Sequence, residues 1–326
     1  MKRQKTIIIA LGGNALIREN QKGTYEEQYF NLQQSSQQLL ELLRDENRVI
    51  ITHGNGPQVG NLLLASESAK DIVPLMPLNV CGAATQGFMG YMIQQAIASC
   101  LREAGLKHNI TTVVTQVIVD ANDPSFINPT KPIGPFYNFS EAEMLRQQRG
   151  WKMIEDSNRG YRRVVPSPKP LSIQQARIIE SMLDAGEIVI AVGGGGIPVV
   201  RGRNRCLQGV EAVIDKDYAS SRLAIDINAD VFIILTTVEK VFRDFGLSSQ
   251  KALDHLTVAE AKKLLAEGQF GVGSMEPKIR AAIEFLHETG KSVRLSLHRR
   301  EREVIITLPE MVTAAMQGKT GTRITR

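Results

Sequence analysis

Three lysines stand in contexts that an ordinary surface lysine would not need. Lys216 lies in "VIDKDYAS", flanked by Asp215 and Asp217 at what reads as a helix start. Lys278 lies in "GSMEPKI", one residue after Pro277 and three after Met275, where another helical segment begins. Lys131 lies in "NPTKPIGPF", between prolines that restrict its backbone. Three glycine-rich turns accompany them: "ALGGNAL" (Gly12, Gly13, Asn14), "THGNGPQVG" (Gly54, Asn55) and "VGGGGIP" (Gly194, Gly195). Glycine lets backbone N–H groups close on an anion with no side chain in the way. A helix starting just after such a turn adds its positive end. One Gly-Gly pair marks a plain tight turn as readily as a binding loop. Three of them, with lysines converging, indicate a bed for a polyphosphate whose charge the lysines neutralise.

The common nucleotide motifs do not account for these turns. A dinucleotide fold requires G-x-G-x-x-G between a strand and a helix, with an acidic residue about 20 positions on. "GGNALI" lacks that spacing, "GGGGIPVV" runs into another extended segment, and "GNGPQVG" matches the glycines only in part. The GxxxxGK[ST] pattern is absent too.

The elements that must position these residues are legible as short apolar runs between helical stretches. "TIIIAL" (6–11), "RVIIT" (48–52), "TTVVTQVIV" (111–119), "IVIAV" (188–192) and "VFIIL" (231–235) are continuous and β-branched. Such runs predict strands buried on both faces, as in a parallel sheet covered by helices. Helices are predicted over 28–43 (Leu32, Leu39, Leu40, Leu43), 83–101, 173–185 (Ala176, Ile179, Leu183) and 275–286 (Ile279, Ile283, Leu286). The alternation predicts an α/β sandwich, with ligands outside the carboxyl ends of its strands. A proline-rich stretch, 120–171, breaks the rhythm with basic and aromatic residues between its prolines. Long irregular insertions are usually lids or binding loops, and we read it as a small protruding lid subdomain attached to the edge of the main sheet.

Composition narrows the setting. At 326 residues, 43% of them hydrophobic, the chain can bury one large core. Three cysteines without CxxC spacing argue against a disulfide framework or a zinc site, and five scattered histidines offer no metal pair. The apolar run 7–11 is too short for a signal core, and no stretch has the length of a membrane helix, so a cytoplasmic location is expected. A formal charge of +5 suits anionic small molecules, and aromatics at 5% without basic interleaving argue against nucleic acid. The mixed-sign run "HRRERE" (298–303) reads as a solvated surface.

Taken in order, "ALGGNAL", "HGNGPQVGNLLL", "NPTKPIGPF", "RRVVPSPKP", "GGGGIPVV", "VIDKDYAS", "GSMEPKI" and "GTRI" resemble the carbamate kinases of the amino-acid kinase superfamily over essentially the whole chain. The resemblance implies a single domain over 1–326, a three-layer α/β/α sandwich around a mainly parallel, open, eight-stranded sheet. It implies a homodimer, ATP/ADP with Mg²⁺, and reversible phosphoryl transfer between ATP and carbamate to give ADP and carbamoyl phosphate, in arginine or other carbamoyl-compound catabolism. Carried over by position, Gly12, Gly13, Asn14, Gly54 and Asn55 would hold the phosphoryl group and the carbamate-side oxygens, with Gly194 and Gly195 beside them. Lys131 and Lys216 would supply the charge that many relatives place before the first glycine pair, where this chain has Ala10. Asp217 would orient the lysines. Lys278 would reach the nucleotide phosphates, with Asp215, Thr236, Val238, Phe242, Met275 and Pro277 along the nucleotide. No protein metal ligand is expected. Phosphoryl transfer needs in-line positioning and neutralised charge rather than covalent help, so the lack of a nucleophilic His or Cys fits. The chain departs from the usual pattern at Asn79 (Asp), Phe242 (Tyr), Leu247 and Ser248 (Lys-Pro) and in "SLHRRERE". A kinase acting on another carbamate or acyl group, or a non-catalytic nucleotide sensor, stays open at this point.

Overall fold

Backbone hydrogen bonding and apolar burial sort the predicted runs into layers in the computed structural model, which describes residues 4–18, 20–45, 47–156, 159–287 and 301–326. The chain opens with β1 (Thr6–Leu11), a 3-10 turn at Gly13–Ala15, α1 (Tyr25–Arg44), β2 (Arg48–His53), α2 (Gly56–Ser68) and α3 (Leu78–Glu103). Then come β3 (Ile110–Thr112), β4 (Gln116–Val119), β5 (Lys131–Tyr137), α4 (Phe139–Arg149), β6 (Met153–Glu155) and β7 (Tyr161–Val165). The middle of the chain forms β8 (Pro170–Ile173), α5 (Ala176–Asp184), β9 (Ile188–Ile190), β10 (Ile197–Arg201), β11 (Leu207–Gly209), α6 (Lys216–Asp226) and β12 (Val231–Leu235). A β13–β14 ribbon (Val241–Arg243, Lys251–Leu253) precedes β15 (His255–Thr257), α7 (Val258–Ala266), α8 (Met275–His287), β16 (Glu303–Thr307), α9 (Val312–Met316) and β17 (Thr322–Thr325).

Among the described residues the main sheet has eight strands in the order β15-β17-β16-β12-β1-β2-β9-β3. From β16 to β3 every pair is parallel; β17 runs antiparallel to β16 and carries β15. Alternate residues of β1 feed opposite cores. Ile7, Ile9 and Leu11 pack with Leu39 of α1, Ile93 of α3 and Val312 of α9. Ile8 and Ala10 face the layer of α5, α6, α7 and α8. Strands buried on both faces must be apolar throughout, hence the unbroken β-branched runs. At the centre of the second layer the Phe232 and Phe285 rings meet edge-on, centroids 5.9 Å apart. The fold is the three-layer α/β/α sandwich that the sequence implied. No helix among the described residues is long and apolar enough to cross a membrane.

Five expectations change. The run 111–119 is two strands, β3 in the main sheet and β4 in a second sheet ordered β11-β10-β4-β8. Thr115 makes the break: its hydroxyl donates to the Val113 carbonyl (2.7 Å) and accepts the Val192 N–H (3.0 Å), while its own carbonyl takes the Ile197 N–H. The helix expected from 173 starts at Ala176, because Ile173 pairs with Val117 across β8 and β4. The helices expected from 83 and 28 begin earlier, at Leu78 and Tyr25; a Thr24–Glu27 capping box sets the second boundary. Within 120–171, β5, β7 and β6 form an antiparallel sheet of their own, with α4 beside it over Tyr137, Trp151 and Tyr161, and the segment joins the second sheet through β4 and β8 rather than the edge of the main sheet. Of the run 298–303, residues 298–300 lie outside the described residues, and Glu303 is the half-buried first residue of β16, paired with Lys5 and Arg323.

Candidate active site

The carboxyl ends of β1, β2, β9 and β12 lie side by side in the main sheet. Gly12 packs so closely on the Leu235 carbonyl that a Cβ would stand 2.6 Å from its oxygen. The first turn continues as Gly13–Ala15, with the Asn14 backbone on it, and no α-helix follows until Tyr25. A helix that starts directly after its glycine turn is found instead beyond Gly54, as α2.

Over these turns sits the first turn of α6. Asp215 is its N-cap, accepting the Asp217 N–H at 2.9 Å. The Ser220 hydroxyl donates to the Lys216 carbonyl and receives the Thr52 hydroxyl at 2.6 Å, which pins α6 to the end of β2. Lys216 Nζ and Lys278 Nζ, 62 positions apart in sequence, both reach Asp217, at 2.5 Å and 3.0 Å. Lys131 Nζ comes from β5 to Asp215 at 2.5 Å. Asp217 thus orients two lysines, and Asp215, expected on the nucleotide, holds the third. Burial alone would push the Asp217 carboxyl up; the two ammonium groups outweigh it and hold the carboxyl well below the usual range. Burial draws Lys216 down although Asp217 opposes it, whereas Asp217 overcomes the burial of Lys278 and raises it. Removing Asp217 would leave two buried ammonium groups uncompensated, at a cost of about 3–5 kcal/mol.

The four-glycine turn answers to contacts on every side. Gly194, Gly195 and Gly196 take φ of +62°, +89° and +82°, and even Val192 is left-handed at +54°, a conformation that strains a β-branched residue. A methyl on Gly193 would overlap His53 Nε2, one on Gly194 the Asn55 amide, one on Gly195 the Ile214 carbonyl and one on Gly196 the Val117 side chain. His53, absent from the expected site, is buried between the turns, its Nδ1–H donating to the Gly54 carbonyl at 2.9 Å. Burial, with help from the Lys216 charge, lowers its pKa to about 4, so the imidazole is neutral at physiological pH. Asn55 packs flat on Gly194, and Lys216 lies along Gly54, where a Cβ would meet its Cδ at 3.3 Å.

A cavity of about 380 Å³ adjoins this cluster, bordered by Gly12, Gly13, Lys216, Leu235, Thr236, Val238, Phe242, Met275 and Lys278. These include most of the expected nucleotide positions; Asp215 and Pro277 are not on its wall. The wall also holds Phe245 and Ser274, with Gln269, Phe270, Gly271 and Pro309, the last four without a sequence signal. The Phe242 and Phe245 rings pack at a tilt of 46°, centroids 5.9 Å apart, and give this wall an aromatic surface. Leu247 is exposed in the loop just beyond, and Asn79 lies at the first turn of α3 against Gly209, off the cavity. An apolar slot opening onto lysines and backbone amides can hold a base at one end and a phosphate chain at the other.

Comparisons with known proteins agree with this geometry. Residues 5–295 match the Amino acid kinase family. The chain is 47% identical to the carbamate kinase of Thermococcus kodakarensis over 325 residues, covering 99% of each protein. It is 46% identical to the carbamate kinase of Pyrococcus furiosus, covering 98% of this chain and 99% of that one. The structure of carbamate kinase from Giardia lamblia bound to AMP-PNP aligns with a TM-score of 0.88 at 40% identity, covering 100% of this chain and 99% of the other. The chain belongs to the amino acid kinase family, among its carbamate kinases.

Proposed function

We propose that this chain is a carbamate kinase in action as well as in family, moving a phosphoryl group reversibly between ATP and carbamate. The observation that carries the reading is the position of Lys216, which borders the nucleotide-sized cavity and also packs on Gly54 of the neighbouring turn. One cation thus bridges the two halves of the site. In the ATP-forming direction, a terminal phosphate oxygen of ADP attacks the phosphorus of carbamoyl phosphate. The bond from phosphorus to the carbamoyl oxygen breaks, and carbamate leaves with the electron pair. No proton has to be moved by the protein. Its task is to align donor and acceptor and to neutralise charge on the three equatorial oxygens.

In this reading Gly12, Gly13, Asn14 and Gly54 present backbone amides to the transferred group, and Asn55 lies on the carbamate side with Gly194 and Gly195. Lys216 neutralises the group in flight, Lys278 the nucleotide phosphates, and Lys131 the carbamoyl phosphate from above. Thr236, Val238, Phe242 and Met275 enclose the adenosine. Among the described residues no group of three His, Cys, Asp or Glu side chains gathers. Mg²⁺ would enter with the nucleotide and add to the charge neutralisation that the lysines give its phosphates. Residues 120–171 act as a lid that brings Lys131 to the substrate. The enzyme works in the cytoplasm, in the breakdown of arginine or other carbamoyl compounds, and as a homodimer; Tyr25, Phe30 and Tyr91 leave exposed rings on α1 and α3 for such a contact.

The test is ATP formation from ADP and carbamoyl phosphate in a coupled assay, beside calorimetry of ADP binding. Turnover establishes the kinase. Binding of ADP with no ATP formed would replace it with a nucleotide sensor.

A further inference from the structure

Asn55 occupies the N-cap of α2, where an asparagine ordinarily turns its side-chain oxygen onto the amides of the first turn. Here the side chain makes no capping bond. Its Nδ2 instead donates to the Thr85 hydroxyl at 2.7 Å, a contact across to α3 buried on both sides. Thr85 has one hydroxyl proton, and the Gly82 carbonyl, 2.7 Å away, can only accept. The proton is therefore committed to Gly82, and the hydroxyl has only lone pairs to offer Asn55. This settles which way the amide faces, a choice that only its hydrogen-bond partners can make. Nitrogen points to Thr85, and Oδ1 is left over the turn at Gly194, the glycine on which the amide lies.

We propose that Thr85 is a positioning residue that fixes Asn55 Oδ1 as an acceptor for the amino group of carbamoyl phosphate. It is thereby a determinant of selectivity for carbamoyl over other acyl phosphates. The inference rests on the carbamate kinase reading above. Carbamoyl phosphate carries N–H donors where acetyl phosphate carries a methyl group. An acceptor held in place gains a hydrogen bond from the first and faces an apolar group in the second, leaving a buried oxygen unpaired. Sites built to bond a substrate N–H reject analogues without it for this reason. A freely rotating asparagine would present nitrogen or oxygen as needed and lose the discrimination. α3 thus contributes to selectivity without touching the substrate.

The test measures kcat/KM for ADP phosphorylation with carbamoyl phosphate and with acetyl phosphate, the latter also as a competitive inhibitor so that a poor substrate still yields a constant. Thr85→Val keeps the shape and deletes the hydroxyl. It should lower the preference for carbamoyl phosphate about tenfold, mainly by weakening the carbamoyl reaction. Thr85→Ser, which restores the hydroxyl, should return the preference to within about threefold of wild type. Asn55→Ala removes the acceptor itself and should lower the preference at least as far, which covers the case of a Thr85→Val protein that does not fold. A fall in both substrates together, at unchanged preference, would overturn the proposal and leave Thr85 a packing residue. Unchanged preference in Asn55→Ala would overturn it as well. If wild-type protein forms no ATP from carbamoyl phosphate, the kinase reading fails first, before any variant is measured.

Discussion

Lys216 carries its charge into a place where water cannot screen it, and the hydrogen bond to Asp217 holds the ammonium ready before any substrate arrives. Such preorganised charge counts most where negative charge builds up, in the transition state. Lys216→Ala should lower kcat by about 10²-fold or more while ADP binding, by calorimetry, weakens far less. Equal kcat in the variant would remove Lys216 from the chemistry. His53 makes a different prediction. Its folded-state pKa, about 4, lies below the ordinary 6.5. Between those values the unfolded chain binds a proton that the native chain refuses, so native stability falls as pH drops from 6.5 towards 4. The contribution is fully present above pH 6.5. From pH 6.5 to 5 the loss is about 1.5 kcal/mol. Urea unfolding at both pH values should register it in wild type, and His53→Asn, which cannot titrate, should lack that part of the slope.

At the level of elements, α2 and β5 approach through two glycines. A Cβ on Gly60 would fall onto the backbone of Gly134, where no rotamer change can relieve it. Gly60→Ala must therefore push β5, with Lys131 on it, away from α2. The expected result is a rise of about tenfold in KM for carbamoyl phosphate with little change in KM for ADP; steady-state kinetics with each substrate varied separates the two. The strands at 6–11, 48–52 and 231–235 were legible because double-sided burial demands an unbroken apolar run. The division of 111–119 was not, since both pieces obey the same rule and one hydroxyl, Thr115, parts them. The glycine turns were legible from composition, and Lys216 from its two aspartates. Gln269 and Phe270 were not, because only tertiary packing brings the loop before α8 beside Phe242. The Lys131–Asp215 pair spans 84 positions, and no local pattern could assign Lys131 to that carboxylate rather than to Asp217.

Across the whole molecule, the segment 120–171 holds a sheet of its own and packs on α2, where Ile133 and Val165 join Val59 and Leu63 in one core. Arg149 and Arg163 both lie over the Trp151 ring, and both pair with Glu67 of α2. The segment leaves and rejoins the second sheet through β4 and β8, beside Pro166, Pro168 and Pro170. A segment with a sheet of its own moves as a unit when it moves at all. Hydrogen exchange with ADP and carbamoyl phosphate present should slow at residues 131–165 and at both junctions, relative to protein alone. Unchanged exchange there would mean that Lys131 is already in place and that the segment does not close.

The four consecutive glycines also bear on how the chain can vary. Every other amino acid has a Cβ, and at each of Gly193, Gly194, Gly195 and Gly196 that atom meets a neighbour already in place. The last three are left-handed besides. Gly105, Gly150 and Gly186 are left-handed too, yet open space surrounds them, so asparagine or aspartate can stand in at modest cost. In a saturation library selected for ATP formation, residues 193–196 should form an uninterrupted gap from which all nineteen replacements are lost. Gly105, Gly150 and Gly186 should keep Asn and Asp. Recovery of alanine at Gly194 or Gly195 at wild-type frequency would show that the turn can open, and its tight packing would then have no bearing on fitness.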